Sequence, residues 1–571
     1  MPIDSIRRVF FSREFIALAV VILALRIAYA VGLRFDVDEP QHVHVVWAWA
    51  TGRLPYRDVF DNHAPLFQFL YAPIFRLIPE RADIVIPMRW AMLPLYALVV
   101  FAVYRLAAVF YSRNLALLIA ISGSLLPRYF LKSVEFRPDN LWAAVWFLCL
   151  AILVQRPLTI RRALWFGLCL GVSWSTSLKT TLLVLTLGLS LAMLLVLKAC
   201  DKNSRIPWKL LVQCISVATL ATLLLPGVIT VWFWLKGLWP QFYYGLIGHN
   251  VIPQLKHWRD PGYAHWWFPV TLAGLVVCAT LLCRFCPKPE LRDRMVFTFL
   301  LPGCYALLLY GFWPDIPRED DLPLYPLIPL SACLLGGALL PKAGRDLVQR
   351  FSTGLAWSVI ILQIGWLMLS QRPWHRQNKD QIADISTILQ LVNPDEFVMD
   401  PVAGAVYRRR PYFYALETIT KTRIRFGLTP DNIRQCLIDT GTKVAMPEGI
   451  WHYTKSRLFV DGNYVPLKHQ DGIRVAGQYL VKDASKADNG YHFEVVIPAK
   501  YSIVDDRGRL AGTLDGTPCD GPRELAAGPH EFRPAGQPSE LALFWDRALE
   551  KGYRPEFTDP ETAPRKVKPR S

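Results

Sequence analysis

From residue 15 to residue 370 the sequence is a succession of apolar runs, each roughly 18 residues or longer, separated by short polar loops. A run of that length satisfies its own backbone polar groups only as a helix in lipid. The pattern therefore predicts a polytopic α-helical membrane protein. About 11 transmembrane helices are expected, at 15–33, 84–107, 114–131, 139–155, 163–178, 180–198, 209–235, 264–283, 295–313, 322–340 and 353–371. Composition agrees: 53% of residues are hydrophobic and 19% charged, a low charged share for a soluble chain of 571 residues. The net charge of +17 invites a nucleic-acid partner. Basic residues retained on the cytoplasmic side and facing anionic lipid account for it more simply, so the expected partner is the lipid bilayer and no nucleic acid. The 20 Trp and 22 Tyr suit interfacial belts.

The loops also carry an orientation. Arg7, Arg8 and Arg13 precede the first run, and no small-residue cleavage site follows it, which predicts a retained signal anchor with a cytoplasmic N-terminus. Counting from there, the loops expected inside hold Arg105 and Arg113; Arg156, Arg161 and Arg162; Lys198, Lys202, Arg205 and Lys209; Arg284, Lys288, Arg292 and Arg294; and Lys342, Arg345 and Arg350. The intervening loops are poorer in Lys and Arg, as the positive-inside rule requires. An odd number of spans then exports everything after Gln371. The expected location is a bacterial inner (plasma) membrane, with the C-terminal region periplasmic or extracellular.

Four regions are expected: a membrane domain over 1–371, an α/β domain over 372–480, a β-rich domain over 481–560 and a disordered tail over 561–571. In the second, DISTILQLV and DNIRQCLIDTG have helical patterns, while EFVMDP and KVAMPEG read as strands. In the third, HFEVVI alternates and turn signals stand at 505–508 and 515–516. All Cys except Cys436 and Cys519 lie in or beside the spans, where a thiol behaves as a small apolar group. Cys283 and Cys286 form a CxxC without a second pair or a nearby His, so no metal site is expected there.

The segments expected outside hold the chemistry. The loop 34–83 contains FDVDEPQHVHVVWAWATGRLPYRDVFDNHAPL, in which Asp38 and Glu39 precede Pro40. Proline suits the first helical position and an acid before it suits the N-cap, so both carboxylates are expected at the start of a short interfacial helix. APLFQFLYAPIFRLI, later in the loop, reads as an interfacial helix too short to span. In RYFLKSVEFRPDN, Asp139 follows Pro138 and opens the next apolar helix. Helix N-termini favour negative charge, so Asp38 and Asp139 are both expected ionised. Arg137, Lys179, Arg318 and His63 supply positive or titrating groups at the same level. Lys179 stands alone in a turn between two apolar runs, and Arg318 lies in WPDIPREDD. A further outside segment, 236–263, is rich in Trp and Tyr. Bland alternatives exist for each: a capping acid at Asp38 or Asp139, a snorkelling side chain at Lys179, paired or exposed arginines, and a hydrogen-bonded structural His63.

Interfacial acids together with phosphate-seeking cations suit transfer of a sugar from a polyprenyl phosphate. The acceptor hydroxyl or amine needs a carboxylate base, the leaving phosphate needs positive charge, and the lipid tail needs a groove between spans.

The same loop, FDVDEPQHVHVVWAWATGRLPYRDVFDNHAPLFQFLYAP, resembles the first periplasmic or lumenal loop of the GT-C glycosyltransferases. It is most similar to the branch of protein O-mannosyltransferases and lipid A aminoarabinose transferases. The elements that carry the resemblance are Asp38-Glu39, the Gly-x-x-Pro-Tyr-x-Asp segment at 52–58, and His63-Ala64-Pro65-Leu66. LPLYPLIPLSACLL at 322–335 is similar to a late span of that family. The lipid A enzymes have a Lys where this chain has His63, which makes a contact there pH-sensitive. The resemblance implies an inverting glycosyltransferase with Asp38 as base or acceptor-positioning group and Asp139 assisting, and with Glu39 beside them. It implies a polyprenyl-phosphate sugar donor; from the residues themselves, the donor phosphate is expected to meet Lys179, His63, Arg137 and Arg318, and the acceptor is expected to be a glycan, lipid or protein. Some relatives use a divalent metal, although no ligand cluster in this sequence calls for one. Two other classes compete. A transporter or flippase of lipid-linked sugars carries polar groups at mid-membrane and repeated halves, whereas here only Arg26 lies clearly inside a span. A non-enzymatic membrane scaffold leaves the paired interfacial acids without a role.

Overall fold

The computed structural model describes residues 12–200, 206–252, 264–286, 291–313, 317–339, 345–447, 454–482, 490–538 and 540–557. Arg7, Arg8, Lys202, Arg205, Lys288, Lys342 and the tail 561–571 lie outside the described residues. Among the described residues, eight helices are long and apolar enough to cross a membrane: Arg13–Gly32, Val85–Ala107, Thr180–Ala199, Trp208–Leu235, Trp267–Phe285, Arg292–Phe312, Arg318–Ala338 and Ser352–Ser370. The other three expected spans are helical but shorter, at Arg113–Ser124, Pro138–Val154 and Ile160–Thr176. The run expected at 114–131 is broken. Its helix ends at Ser124, and a second short helix, Pro127–Lys132, starts with a proline at its first position. The residue before a proline is driven away from helical geometry, which puts the boundary there. Every side chain from Leu115 to Ser124 is buried, so this helix belongs to the core.

By contact density the chain divides into two compact units: Met1–His42, Asn62–Leu77 and Val85–Asn378 form one, and Val43–Asp61, Ile78–Ile84 and Lys379–Ser571 the other. The first is a helical bundle whose closest crossings use glycine. A Cβ on Gly167 would lie 2.3 Å from the Ala218 carbonyl oxygen, and one on Gly171 would lie 2.7 Å from that of Thr222. Helices Ile160–Thr176 and Trp208–Leu235 therefore touch backbone to backbone, as small residues four apart permit in lipid. Gly123 meets Pro326 in the same way, at 2.7 Å. Arg26, the charge inside the first span, is buried and bonded through both terminal nitrogens, while its Nε has no hydrogen-bond partner among the described residues. It donates to Ser133 Oγ (2.6 Å), the Ser133 carbonyl (2.7 Å) and the Phe130 carbonyl (3.1 Å), and its guanidinium lies over the Tyr96 ring at 4.3 Å. It thus closes the carbonyl end of Pro127–Lys132.

The second unit gathers two pieces of the first loop with the C-terminal region. His44 Nδ1 lies 2.7 Å from the Val406 carbonyl, and Arg408 pairs with Glu80 at 3.0 Å. One sheet runs in the order Val398–Met399, Val444–Ala445, Gln470–Leu480, Leu541–Trp545, Ala499–Val504 and Arg523–Leu525, with Tyr464–Leu467 also paired to Gln470–Leu480. Strand Gln470–Leu480 ends where a boundary is expected at 480, and it pairs antiparallel with Leu541–Trp545 beyond that point, Leu543 opposite Gln478. Leu541–Trp545 is buried throughout, as an interior strand covered on both faces must be. A second sheet orders Tyr491–Val495, Gly528–Pro534, Gly512–Leu514 and Thr517–Cys519.

Candidate active site

The site is built in the first unit, at the start of two helices and in two turns. The first helix begins at Asp38 itself. The carboxylate that caps it is Asp36, whose Oδ1 accepts the Asp38 N–H at 3.3 Å. Asp38 is thereby released from capping. The second helix is Pro138–Val154, with Asp139 in its first turn. Lys179 immediately precedes helix Thr180–Ala199, and Arg318 opens the short 3-10 turn Arg318–Asp321.

Arg137 is the hub. Its NH2 contacts Asp38 at 2.8 Å and Glu319 at 2.5 Å, its NH1 contacts Asp36 at 2.9 Å and Glu135 at 3.5 Å, and its Nε contacts Asp139 at 3.5 Å. A guanidinium has five N–H donors, and here all five face carboxylates. Expected on the donor phosphate, Arg137 instead organises the acids and has no donor left. Lys132 joins the same network, bonded to Asp36 at 3.0 Å and Glu135 at 2.9 Å.

Lys179 bridges Asp139 (2.9 Å) and Asp320 (2.5 Å). Two of its three ammonium donors are so placed, and the third remains. Despite its burial, the neighbouring Asp139 and Asp320 carboxylates hold its pKa above the usual lysine range. Asp139 is buried, and both its oxygens are engaged, by Lys179 and Arg137.

Glu39 differs from its neighbour Asp38. It is fully buried, accepting from Arg89 Nε (2.7 Å) and NH2 (2.5 Å), from the Phe136 N–H (2.8 Å) and from the Asp36 N–H (3.0 Å). Arg89 also donates to the carbonyls of Ala30, Leu33 and Arg34. This closed pair ties the end of the first span to the acid loop and leaves Glu39 no oxygen for chemistry. Asp38 is the accessible acid. Its side chain is 31% exposed, its Oδ2 is held by Arg137, and its Oδ1 has no partner among the described residues.

His63 is half-buried, with its ring edge-on to that of His42 at 4.7 Å between centroids. The Asn250 side chain donates to the carbonyl of Asn62 beside it at 2.8 Å. Arg318 is exposed and has no ion pair among the described residues, while the next two residues, Glu319 and Asp320, reach Arg137 and Lys179. Among the described residues no three His, Cys, Asp or Glu side chains stand as a metal-ligand set; the carboxylates are turned onto Arg137, Lys132 and Lys179.

Sequence reasoning missed Asp36, Lys132, Glu135, Glu319 and Asp320. All lie in loops it had grouped, four of them in RYFLKSVEFRPDN and PREDD, but partners from different loops are not encoded locally. Six carboxylates (Asp36, Asp38, Glu135, Asp139, Glu319 and Asp320) meet three cations. The surplus has a consequence at Glu135. Burial, and then the neighbouring Glu39 charge, push its pKa up to about 8.

No family model and no curated protein sequence matches this chain. Solved structures do. ArnT from Cupriavidus metallidurans in the apo state is 13% identical, with a TM-score of 0.53 over 81% of this chain and 97% of that one. The same protein bound to undecaprenyl phosphate gives 13% identity and a TM-score of 0.54, over 80% and 96%. An Archaeoglobus fulgidus oligosaccharyltransferase tethered with an acceptor peptide overlays at a TM-score of 0.38, with 12% identity over 82% and 74%. In fold, the chain is similar to ArnT, with described helices long and apolar enough to cross a membrane and a C-terminal sheet-containing region.

Proposed function

We propose that this protein is a membrane glycosyltransferase that moves a sugar from a polyprenyl-phosphate-linked donor to a glycan, lipid or protein acceptor on the extracytoplasmic face. Support comes from the fold shared with ArnT, one structure of which binds undecaprenyl phosphate. The observation that carries the reading is the Asp38 carboxylate, with one oxygen fixed by Arg137 at 2.8 Å and the other uncommitted in an accessible position. A base needs that combination of fixed orientation and an open lone pair.

In the proposed reaction the acceptor oxygen or nitrogen attacks the anomeric carbon as the carbon–oxygen bond to phosphate breaks on the opposite face. The configuration inverts. The acceptor proton passes to Asp38 Oδ1, and the bonding pair leaves with the polyprenyl phosphate. Arg318 and the third donor of Lys179 receive the charge that develops there, with His63 as a further, pH-dependent contact. Asp139 holds Lys179 in place, and Glu39 with Arg89 fixes the loop.

The test is Asp38→Asn in the purified full chain, assayed for transfer from undecaprenyl-phosphate sugars in vesicles. Asn keeps the shape and loses the base. Turnover should fall roughly 100- to 10,000-fold, with donor binding retained. Because Asp36 supplies the cap, and Arg137 keeps its other carboxylates, stability should change by no more than about 1 kcal/mol. Near wild-type turnover in a folded Asp38→Asn variant would refute the mechanism.

A further inference from the structure

Around the charged network sits a second group of side chains, all neutral. His42 is completely buried, and neither ring nitrogen has a hydrogen-bond partner among the described residues. The same holds for both amide atoms of Gln68, for Gln41 Nε2 and for the indole N–H of Trp142. Buried polar groups are normally satisfied, so four on the helices that begin beside the acids and in the helix after His63 ask for an explanation.

Their placement is ordered. Gln41 and His42 follow Asp38 by three and four residues on one helix, which sets all three on one face. Trp142 follows Asp139 by three on the next. The His42 ring meets that of His63, and His42 feels the charges of Arg137, Asp139 and Lys179. Gln68 adjoins Phe67, whose ring packs on Phe136 at 4.9 Å, in the strand of chain between Glu135 and Arg137. Burial first, then His63 and Arg137, push the His42 pKa well below the usual histidine range, so its ring is neutral.

Neutral groups that both donate and accept match hydroxyls, whereas a phosphate is matched by cations. We propose that His42 and Gln68, flanked by Gln41 and Trp142, form the subsite that grips the sugar ring of the lipid-linked donor, beside the phosphate contacts and on the Asp38 side of the site. This rests on the function proposed above and adds the part of the donor that these residues read. The sugar hydroxyls would supply the partners the protein withholds.

The test compares binding of undecaprenyl phosphate with binding of undecaprenyl phosphate bearing a hexose, a pentose or an aminopentose, using the purified full chain. Wild type should bind at least one sugar-bearing lipid about tenfold or more tightly than the bare lipid phosphate. His42→Phe and Gln68→Leu should each reduce that difference to about twofold and leave the affinity for bare undecaprenyl phosphate unchanged. Neither should lower the unfolding temperature, because each removes an unpartnered buried polar group. His42→Asn, which keeps a donor and an acceptor, should restore part of the discrimination. A purely structural role predicts the reverse: a lower unfolding temperature with discrimination intact. That result, or a wild type that binds no sugar-bearing lipid better than the bare one, would overturn the subsite while leaving the glycosyltransferase reading standing. Failure of wild type to bind undecaprenyl phosphate at all would remove both.

Discussion

Replacing Lys179 with methionine keeps most of the side-chain stem and deletes the ammonium. In the wild type that group lies 2.9 Å from Asp139 and 2.5 Å from Asp320, whose side chains are only 6% and 1% exposed. At an effective dielectric of about 20, each contact amounts to roughly 6 kcal/mol before desolvation. Most of that is cancelled by the cost of burying the charges, so the attraction itself is a poor measure of what the lysine contributes. The loss on removing it is set by the carboxylates left behind, and breaking a buried pair costs about 3–5 kcal/mol. Lys179→Met should therefore destabilise the protein by about that amount. Adding Asp139→Asn and Asp320→Asn removes the stranded charges, and the triple variant should recover about 2 kcal/mol or more, within the range of couplings between contacting residues. The assay is unfolding of the detergent-purified chain in mixed micelles, comparing wild type, the single and the triple variants. If Lys179→Met is as stable as wild type, or if the triple variant is no more stable than the single one, the lysine is not the counter-ion of these acids and the electrostatic account of the site fails.

Two further outcomes follow from the same network. Arg318 is the exposed cation without an ion pair among the described residues, so Arg318→Ala should raise the donor KM about 10- to 100-fold, the loss of one charged hydrogen bond, with little change in stability; an unchanged KM would take Arg318 out of the site. Glu135, with its pKa raised to about 8 from an ordinary 4.5, binds its proton more tightly folded than unfolded. Its contribution is therefore complete below pH 4.5 and is lost as pH rises through about 8. Unfolding measured between those limits should show wild-type stability falling as pH rises and Glu135→Gln flatter; parallel curves would refute the shift.

Much of this was legible in the sequence, for reasons that differ by feature. Apolar runs announce helices because lipid leaves the backbone no alternative; among the described residues, eight of the eleven expected positions hold helices long and apolar enough to span, and the other three hold shorter ones. Pro127 also announced the break at 125–126, but the run around it is so apolar that length counting passed over it. Asp38, Asp139, Lys179 and the stretch beginning at Arg318 could be grouped because alternation of loops puts them on one face. Their partners could not be read. Nothing local says that Arg137 will spend its five donors on carboxylates from three separate loops, or that Glu39 will close on Arg89, fifty residues away. The tie between His44 and Val406 spans 362 residues, which is why the first loop's membership in the second unit escaped notice. Asp36 was overlooked for a subtler reason: with Pro40 as the marker of helix start, the cap was sought next to it, whereas the helix begins two residues earlier.

The backbone contact at Gly167 and Gly171 has a bearing on the membrane in which the protein works. Helix Trp208–Leu235 has 28 residues, a length of about 42 Å, against a hydrocarbon thickness of about 30 Å. It must tilt or extend beyond the acyl chains, and its tilt changes with bilayer thickness. Helix Ile160–Thr176 has 17 residues and would by length alone sit upright. With no side-chain layer between their backbones to shear, the short helix is obliged to follow the long one. The turn at its end carries Lys179. On the function proposed above, lipid composition is thus expected to have a mechanical handle on the depth of that ammonium, and transfer rate is expected to vary with acyl-chain length.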